Sequence, residues 1–323
     1  MQLLTNISIK PLQPSITYQH HIMLTGSCFT EHISNHLMDV KFNLLQNPNG
    51  ILFDPISVCS SLVSYIHNKQ YSEEDLFYLN ECWHSWQHHS NFSNIDKQEC
   101  LRIINESQNT AHAFLKKADW LFITLGSSFH YKLAESLIPV ANCHKAPAQQ
   151  FIKHLCTIEE TVTALDGTIH QLFQFNPKLR IIFTISPVRH LRDGVVENNR
   201  SKARLIEAVH HLVNKFDKLY YFPAYELVVD VLRDYRFYDI DLAHPNYAAT
   251  QFVLEKFAEN CFDVNTRQLM EEIKKISIAA KHKPFNPQSQ QHKQFRHSYL
   301  EKVKLLQEQY PFLDFSNELR HFS

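Results

Sequence analysis

The chain has 323 residues and 38.0 kDa, enough for one large domain or two ordinary ones with a substantial core. Hydrophobic residues make up 44% and charged residues 20%, ordinary globular usage that excludes disorder, collagen and coiled coil. Lys and Arg (32) balance Asp and Glu (33) to a formal net charge of -1, so neither nucleic acid nor an anionic membrane is an expected partner.

The mean hydropathy is -0.31, and no apolar run reaches the roughly 18 residues that span a bilayer, so no membrane insertion is expected. MQLLTNISIKPLQPSIT lacks a basic stretch followed by a continuous apolar one, so no signal peptide is read and the cytoplasm is the expected compartment. Seven cysteines with no C-x-x-C pair read as reduced thiols. Only five glycines occur, where usage of about 7% would give more than twenty. Gly26, Gly50, Gly126, Gly167 and Gly194 are therefore each expected to answer a backbone requirement.

In chain order, residues 21 to 25 read as a buried strand. A sharp turn at Gly26-Ser27 leads to a helix with Phe29, Ile33, Leu37 and Val40 on one stripe. FNLL (42 to 45) is a second strand and NPNGILFDP a tight loop around Gly50. Asp54-Pro55 supplies an N-cap and a first-turn proline for a helix carrying Ile56, Cys59, Val63 and Ile66. Residues 70 to 117 are aromatic and His-rich without a strand period and read as an insertion. Residues 119 to 125 are a strong strand, and 129 to 152 look irregular. Thr157 with Glu160 is a capping box opening a helix to about Phe173. RIIFTISPV is a strand ended by proline, and the following helix aligns Leu205, Val209 and Leu212. LYYFPAY is another strand, and a helix after Pro245 offers Tyr247, Phe252 and Phe257 for packing. This alternation predicts an α/β fold with a doubly wound parallel sheet of flavodoxin-like architecture, its strands beginning near Ile22, Phe42, Leu121, Ile181 and Tyr220. Residues 1–275 form the main domain, with the insertion at about 70–117, and 276–323 a C-terminal helical extension packing on it.

In an open α/β sheet, ligands bind outside the carboxyl ends of the strands, where Ser27 is expected. Its Oγ would lie at the positive end of the next helix, serving either as a nucleophile or merely as a cap. In DIDLAHPNY, Asp241 could hold one imidazole nitrogen of His244 and leave the other free to take a proton, although 21 histidines make chance D-x-x-H matches common. Arg189 and His190, after a strand and proline, contact either substrate or a structural ion partner. His144 and Lys145 face either the cleft or solvent. Trp83 and Trp86 form either an aromatic lid or a plain packed insertion. His84 and His88, four apart, could share a helical face, but nothing nearby is spaced to complete a zinc site, so no metal is expected. Cys28 is a rival nucleophile beside Ser27.

The pentapeptide GSCFT (26 to 30) resembles the signature of the GSCFA family, whose fold is similar to that of SGNH (GDSL-like) hydrolases. NPNGILFDP, LGSSFHY, NCHKAP, TISPVRHLRDG, YFPAYE, LRDYRFY and DLAHPN follow in order as further resemblances, over roughly residues 20 to 265, and HKPFNPQS and YPFLDF extend them into the tail. The resemblance implies that Ser27 is the nucleophile and that Asp241 and His244 complete a triad. It gives the oxyanion hole to the N–H groups of Ser27 and Gly50. Ser128, two residues after Gly126, falls where the G-x-N-D block of SGNH enzymes has its asparagine, so one donor is altered. Gly50, Gly126, Ser128, Arg189, His190, Trp86 and His89 are the expected oxyanion and substrate contacts. The implied activity is hydrolysis of a small ester or an O-acylated carbohydrate through an acyl-enzyme, with no cofactor. The alternatives are a carbohydrate-binding or scaffolding protein that keeps the cleft without turnover, and O-acyl transfer to a sugar hydroxyl. Oligomeric state is left open.

Overall fold

The computed structural model describes residues 5–323. β1 (Ile22–Gly26) runs into α1 (Cys28–Asp39), followed by β2 (Leu44–Gln46) and α2 (Pro55–His67). An antiparallel hairpin of β3 (Phe77–Leu79) and β4 (Cys82–His84) precedes α3 (Lys97–Lys117) and β5 (Trp120–Leu125). β6 (Phe129–Leu133), β7 (Pro139–Val140) and β8 (Phe151–Leu155) then form an antiparallel ribbon in the order β7-β6-β8. The alternation resumes with α4 (Ile158–Phe175), β9 (Arg180–Ile185), α5 (Val195–Lys215) and β10 (Leu219–Tyr221). A short α6 (Ala224–Glu226) continues as a π-helical turn through Leu232, and α7 (Tyr247–Cys261), α8 (Val264–Lys281), α9 (Gln290–Gln309) and α10 (Ser316–Phe322) end the chain. Among the described residues no helix is long and apolar enough to cross a membrane.

The main sheet has the order β10-β9-β5-β1-β2, and all its pairings are parallel. Taken by order of appearance within the sheet, this is the 2-1-3-4-5 arrangement of flavodoxin-like folds, whose direction of winding reverses between β1 and β5. Both faces are covered, which is why β1, β5 and β9 are continuous apolar runs. Leu24, Phe122 and Ile182 point into one core with α1, α7 and α8. Met23, Leu121, Ile123, Ile181 and Phe183 point into the other with α2, α3, α4 and α5. Each such buried side chain contributes about 1.5–3 kcal/mol relative to an exposed one. Met270, Ile273, Val303 and Phe322 from the last three helices, with Phe315 just before α10, belong to the first core, so the C-terminal segment completes that layer.

Four sequence expectations change. The stretch expected as one insertion over 70–117 divides, because its second half is the 21-residue α3: Ala111 and Leu115 join the core beneath α2, α4 and α5, while Cys100 and Ile104 pack with Tyr71 and Leu76 in a separate small cluster. That face carries Cys100, Ile104, Gln108, Ala111 and Leu115, too few large aliphatics to announce a helical stripe. Buried Gln108 is satisfied by donating to Ser64 O at 2.6 Å. The segment expected to be irregular, 129 to 152, holds most of the antiparallel ribbon. Tyr247 is exposed, whereas Phe257 is buried as expected. Gly167 lies within α4 with open space where a Cβ would project, so no steric requirement explains it.

Candidate active site

β1 ends at the winding reversal beside β5. Gly26 has φ +142°, and a Cβ there would lie 2.2 Å from Thr124 O, so only glycine allows this approach. The Ser27 N–H donates to the same Thr124 O at 3.0 Å. Ser27 caps α1, its Oγ accepting from the Phe29 N–H at 3.3 Å, and is buried at 2% exposure. Around Gly126, at the carboxyl end of β5, a Cβ would meet Phe53 Cβ at 3.0 Å, His190 Nε2 at 3.2 Å and Ser27 Cβ at 3.4 Å. Ser27, Gly126 and His190 therefore share one edge of the sheet.

Asp241 and His244 form a dyad. Asp241 Oδ2 lies 2.6 Å from His244 Nδ1, while Oδ1 accepts the N–H groups of Ala243 (2.9 Å) and His244 (3.0 Å). Those backbone bonds, and then the His244 ring, hold the Asp241 carboxyl down at about 2. The ionised carboxylate only accepts, so Nδ1 of His244 carries a proton, and in the neutral ring Nε2 is the free base. The loop is fixed to the sheet edge by the Arg189 N–H donating to Ala243 O at 3.0 Å. His244 is close enough to exert a charge effect on both His32 in α1 and His190. Ser27 Oγ, directed at its own helix, has no hydrogen bond to His244.

The expected oxyanion donors are already paired. Besides the Ser27 N–H, the Gly50 N–H closes a turn onto Asn47 O at 2.7 Å. Gly50 has φ +79°, and a Cβ on it would strike His89 Cβ at 2.2 Å, so His89 packs against this turn. Ser128 is fully buried and faces α5: its N–H donates to Ser201 Oγ at 2.7 Å and its hydroxyl to Ser201 O at 3.1 Å. It does not replace the asparagine donor. A donor the sequence reading missed is Asn47, whose Oδ1 accepts the Gly26 N–H at 3.0 Å while its buried Nδ2 lacks a partner. The signal is NPNG itself, whose first asparagine directly follows the second strand.

The His190 ring packs against Phe53, tilted, at 5.0 Å between centroids, and its buried Nε2 has no partner. Burial, aided by the nearby charges of Lys202 and His244, pushes it down to about 4, so it is neutral near pH 7. Arg189 makes no ion pair among the described residues and lies over the rings of Tyr238 and Tyr235. A cavity of about 690 Å³ opens beside this edge, lined by Phe53, Ser127, His144, Lys145, His190 and Arg192 among others. Ser27 and His244 do not line it.

Trp86 is no open platform, because Phe77 covers it at 3.5 Å and Phe151 and His144 meet it edge-on. Lys97 Nζ lies over the Trp83 ring at 4.6 Å, and Trp83 does not line the cavity. His84 spends both ring nitrogens on Ser93 Oγ and Leu79 O, and His88 is fully buried against Ser85 Oγ, so this stretch is packing. His144 points inward, its Nε2 on Ser85 O. Burial, followed by Glu31, raises the Cys28 thiol, which disfavours it as a thiolate nucleophile.

Residues 21–257 match the GSCFA family and residues 273–323 match the GSCFA domain protein, C-terminal domain. The chain belongs to the GSCFA family. No curated protein matches this GSCFA chain. Among solved structures it is similar to a Streptococcus pneumonia chain described, provisionally, as a platelet activating factor (12% identity, 75% of this chain and 84% of that one, TM-score 0.41). It is also similar to a carbohydrate esterase family 3 protein from Talaromyces cellulolyticus (8%, 78% and 99%, 0.36) and a Clostridium thermocellum family 3 carbohydrate esterase (11%, 78% and 97%, 0.36). These likenesses are loose, and the site of the GSCFA protein rests on its own geometry.

Proposed function

We propose that the protein is a serine ester hydrolase that deacylates a small ester or an O-acylated carbohydrate. The observation that carries this reading is the 2.6 Å Asp241–His244 pair, fixed at the sheet edge where Ser27 opens α1. Ser27 Oγ leaves its cap on Phe29, His244 Nε2 takes its proton, and Oγ attacks the ester carbonyl. Asp241 holds the ring and stabilises the imidazolium. His244 returns the proton to the leaving alcohol, and water, activated by the same nitrogen, releases the acid. Asn47 Nδ2 and the positive end of α1 are the groups that would face the oxyanion.

One observation favours a second reading. With Ser27 buried and the Ser27 and Gly50 N–H groups already paired, a carbohydrate-binding protein that keeps the cleft without turnover is the alternative. A serine-directed fluorophosphonate separates them. Labelling lost in Ser27→Ala and His244→Ala but kept in Cys28→Ala supports the hydrolase. Absence of labelling in the folded wild type overturns it, and labelling that follows Cys28 moves the chemistry to the thiol.

A further inference from the structure

The β6–β8 ribbon has two differently furnished faces. Phe129, Tyr131, Phe151 and Lys153 line the 690 Å³ cavity beside Ser27. Alternation along each strand sends their neighbours to the opposite face. His130 and His154 are direct cross-strand partners there, and Cys156 lies two residues beyond His154, so it returns to the same side. One ligand atom from each of His130, His154 and Cys156 lies within 4.8 Å of the others.

We propose that this back face binds one zinc ion through His130, His154, Cys156 and Glu160. His130 is 3% exposed, and its Nδ1 is a buried ring nitrogen with no partner. Cys156 is 1% exposed and held by its N–H on Ser128 O at 2.9 Å. Glu160 stands in the first turn of α4. Its Oε2 lies 2.8 Å from His154 Nε2 and also accepts the Thr157 N–H at 2.7 Å, which holds the carboxylate beside His154. Two imidazoles, a thiolate and a carboxylate are a borderline-soft set that suits zinc.

Tetrahedral ligation with bonds of about 2.0–2.3 Å separates ligand atoms by about 3.3–3.8 Å, so small side-chain rotations close the site. On binding, Cys156 loses its thiol proton to solvent as the sulfur–zinc bond forms, and His154 turns Nε2 to the metal as the Nδ1–H tautomer. The thiolate and carboxylate neutralise the dication, with Lys132 a positive neighbour. An open cavity of about 490 Å³ lined by His130, Lys132, Cys156 and Glu160 provides the way in. The bound ion pins the ribbon to the start of α4 and thereby sets the wall of the cleft on its other face. This site is separate from the Ser27 reading, and either stands without the other.

The test uses the full-length chain, stripped with a chelator and dialysed. Titration with Co²⁺ is expected to raise a thiolate-to-cobalt charge-transfer band that saturates at one ion per chain. The band should be lost in Cys156→Ser and weakened in His130→Gln, and unchanged in Cys143→Ser and His84→Ala. No band in the wild type, or a band that survives Cys156→Ser, overturns the proposal. X-ray absorption at the zinc edge of the loaded wild-type protein needs no variant. One sulfur at about 2.3 Å with nitrogen and oxygen at about 2.0 Å is expected, and a shell without sulfur refutes the site.

Discussion

Lys202, in α5, is 1% exposed and donates to two backbone carbonyls, Gly126 O and Ser186 O, each at 2.6 Å. It thereby ties the ends of β5 and β9 together beneath the candidate site. Burial brings its amine from the ordinary 10.5 down to about 7, a change worth about 5 kcal/mol. Below pH 7 both the folded and unfolded chains hold the proton, and the full cost of a buried ammonium is present. Between pH 7 and 10.5 the unfolded chain binds a proton that the folded one does not, so stability rises with pH by up to about 1.4 kcal/mol per pH unit. The neutral amine has two N–H groups for its two carbonyl partners. Lys202→Met removes both bonds and leaves two buried acceptors at about 1–3 kcal/mol each, but at pH 9 it also spares the roughly 2 kcal/mol of deprotonating the amine on folding, so the net destabilisation is about 0–4 kcal/mol. At pH 6 the same change also removes the buried charge, and the loss is smaller by about 3 kcal/mol. Urea unfolding of both proteins at pH 6 and pH 9 reads this directly, because other titrating groups cancel in the difference. A mutant-minus-wild-type difference that stays the same within about 1 kcal/mol at both pH values would refute the reasoning.

With an ester substrate, Asp241→Asn and His244→Ala should each cost about 10⁴-fold in rate, the loss typical of a disabled triad. The double variant should be little worse than either, and multiplying losses would show that the two do not act as one unit. Gly26→Ala forces a Cβ to 2.2 Å from Thr124 O at a φ of +142°. It should cost about 3 kcal/mol or more in urea unfolding, and a neutral result would mean that β1 can retreat from β5 freely. Asn176→Ala removes the amide that donates to Leu115 O (2.9 Å) and Ala118 O (2.7 Å) at the end of α3. A loss of about 2–4 kcal/mol is expected, and one under about 1 kcal/mol would show that water replaces the amide.

The main sheet was legible in the sequence because its strands are buried on both faces, so HIMLT, WLFITL and RIIFTI carry unbroken apolar runs that no surface element shares. The Gly26-Ser27 turn was legible too, since so few glycines occur that each draws attention, and Asp241 and His244 are close enough in sequence for a local loop to join them. Helix α3 was not legible, because its buried face relies on a cysteine, a glutamine and an alanine whose places are set by neighbours distant in sequence. The two-faced ribbon was hidden for a related reason: each face serves a cavity rather than a core, so alternation of polarity gives no signal. Hydrogen-bond occupancy is decided only in three dimensions. A sequence shows that Ser27, Gly50 and Ser128 own donors, but the approach of Thr124, Asn47 and Ser201 determines that those donors are already taken, and leaves Asn47 Nδ2 and His190 Nε2 among the buried groups without partners.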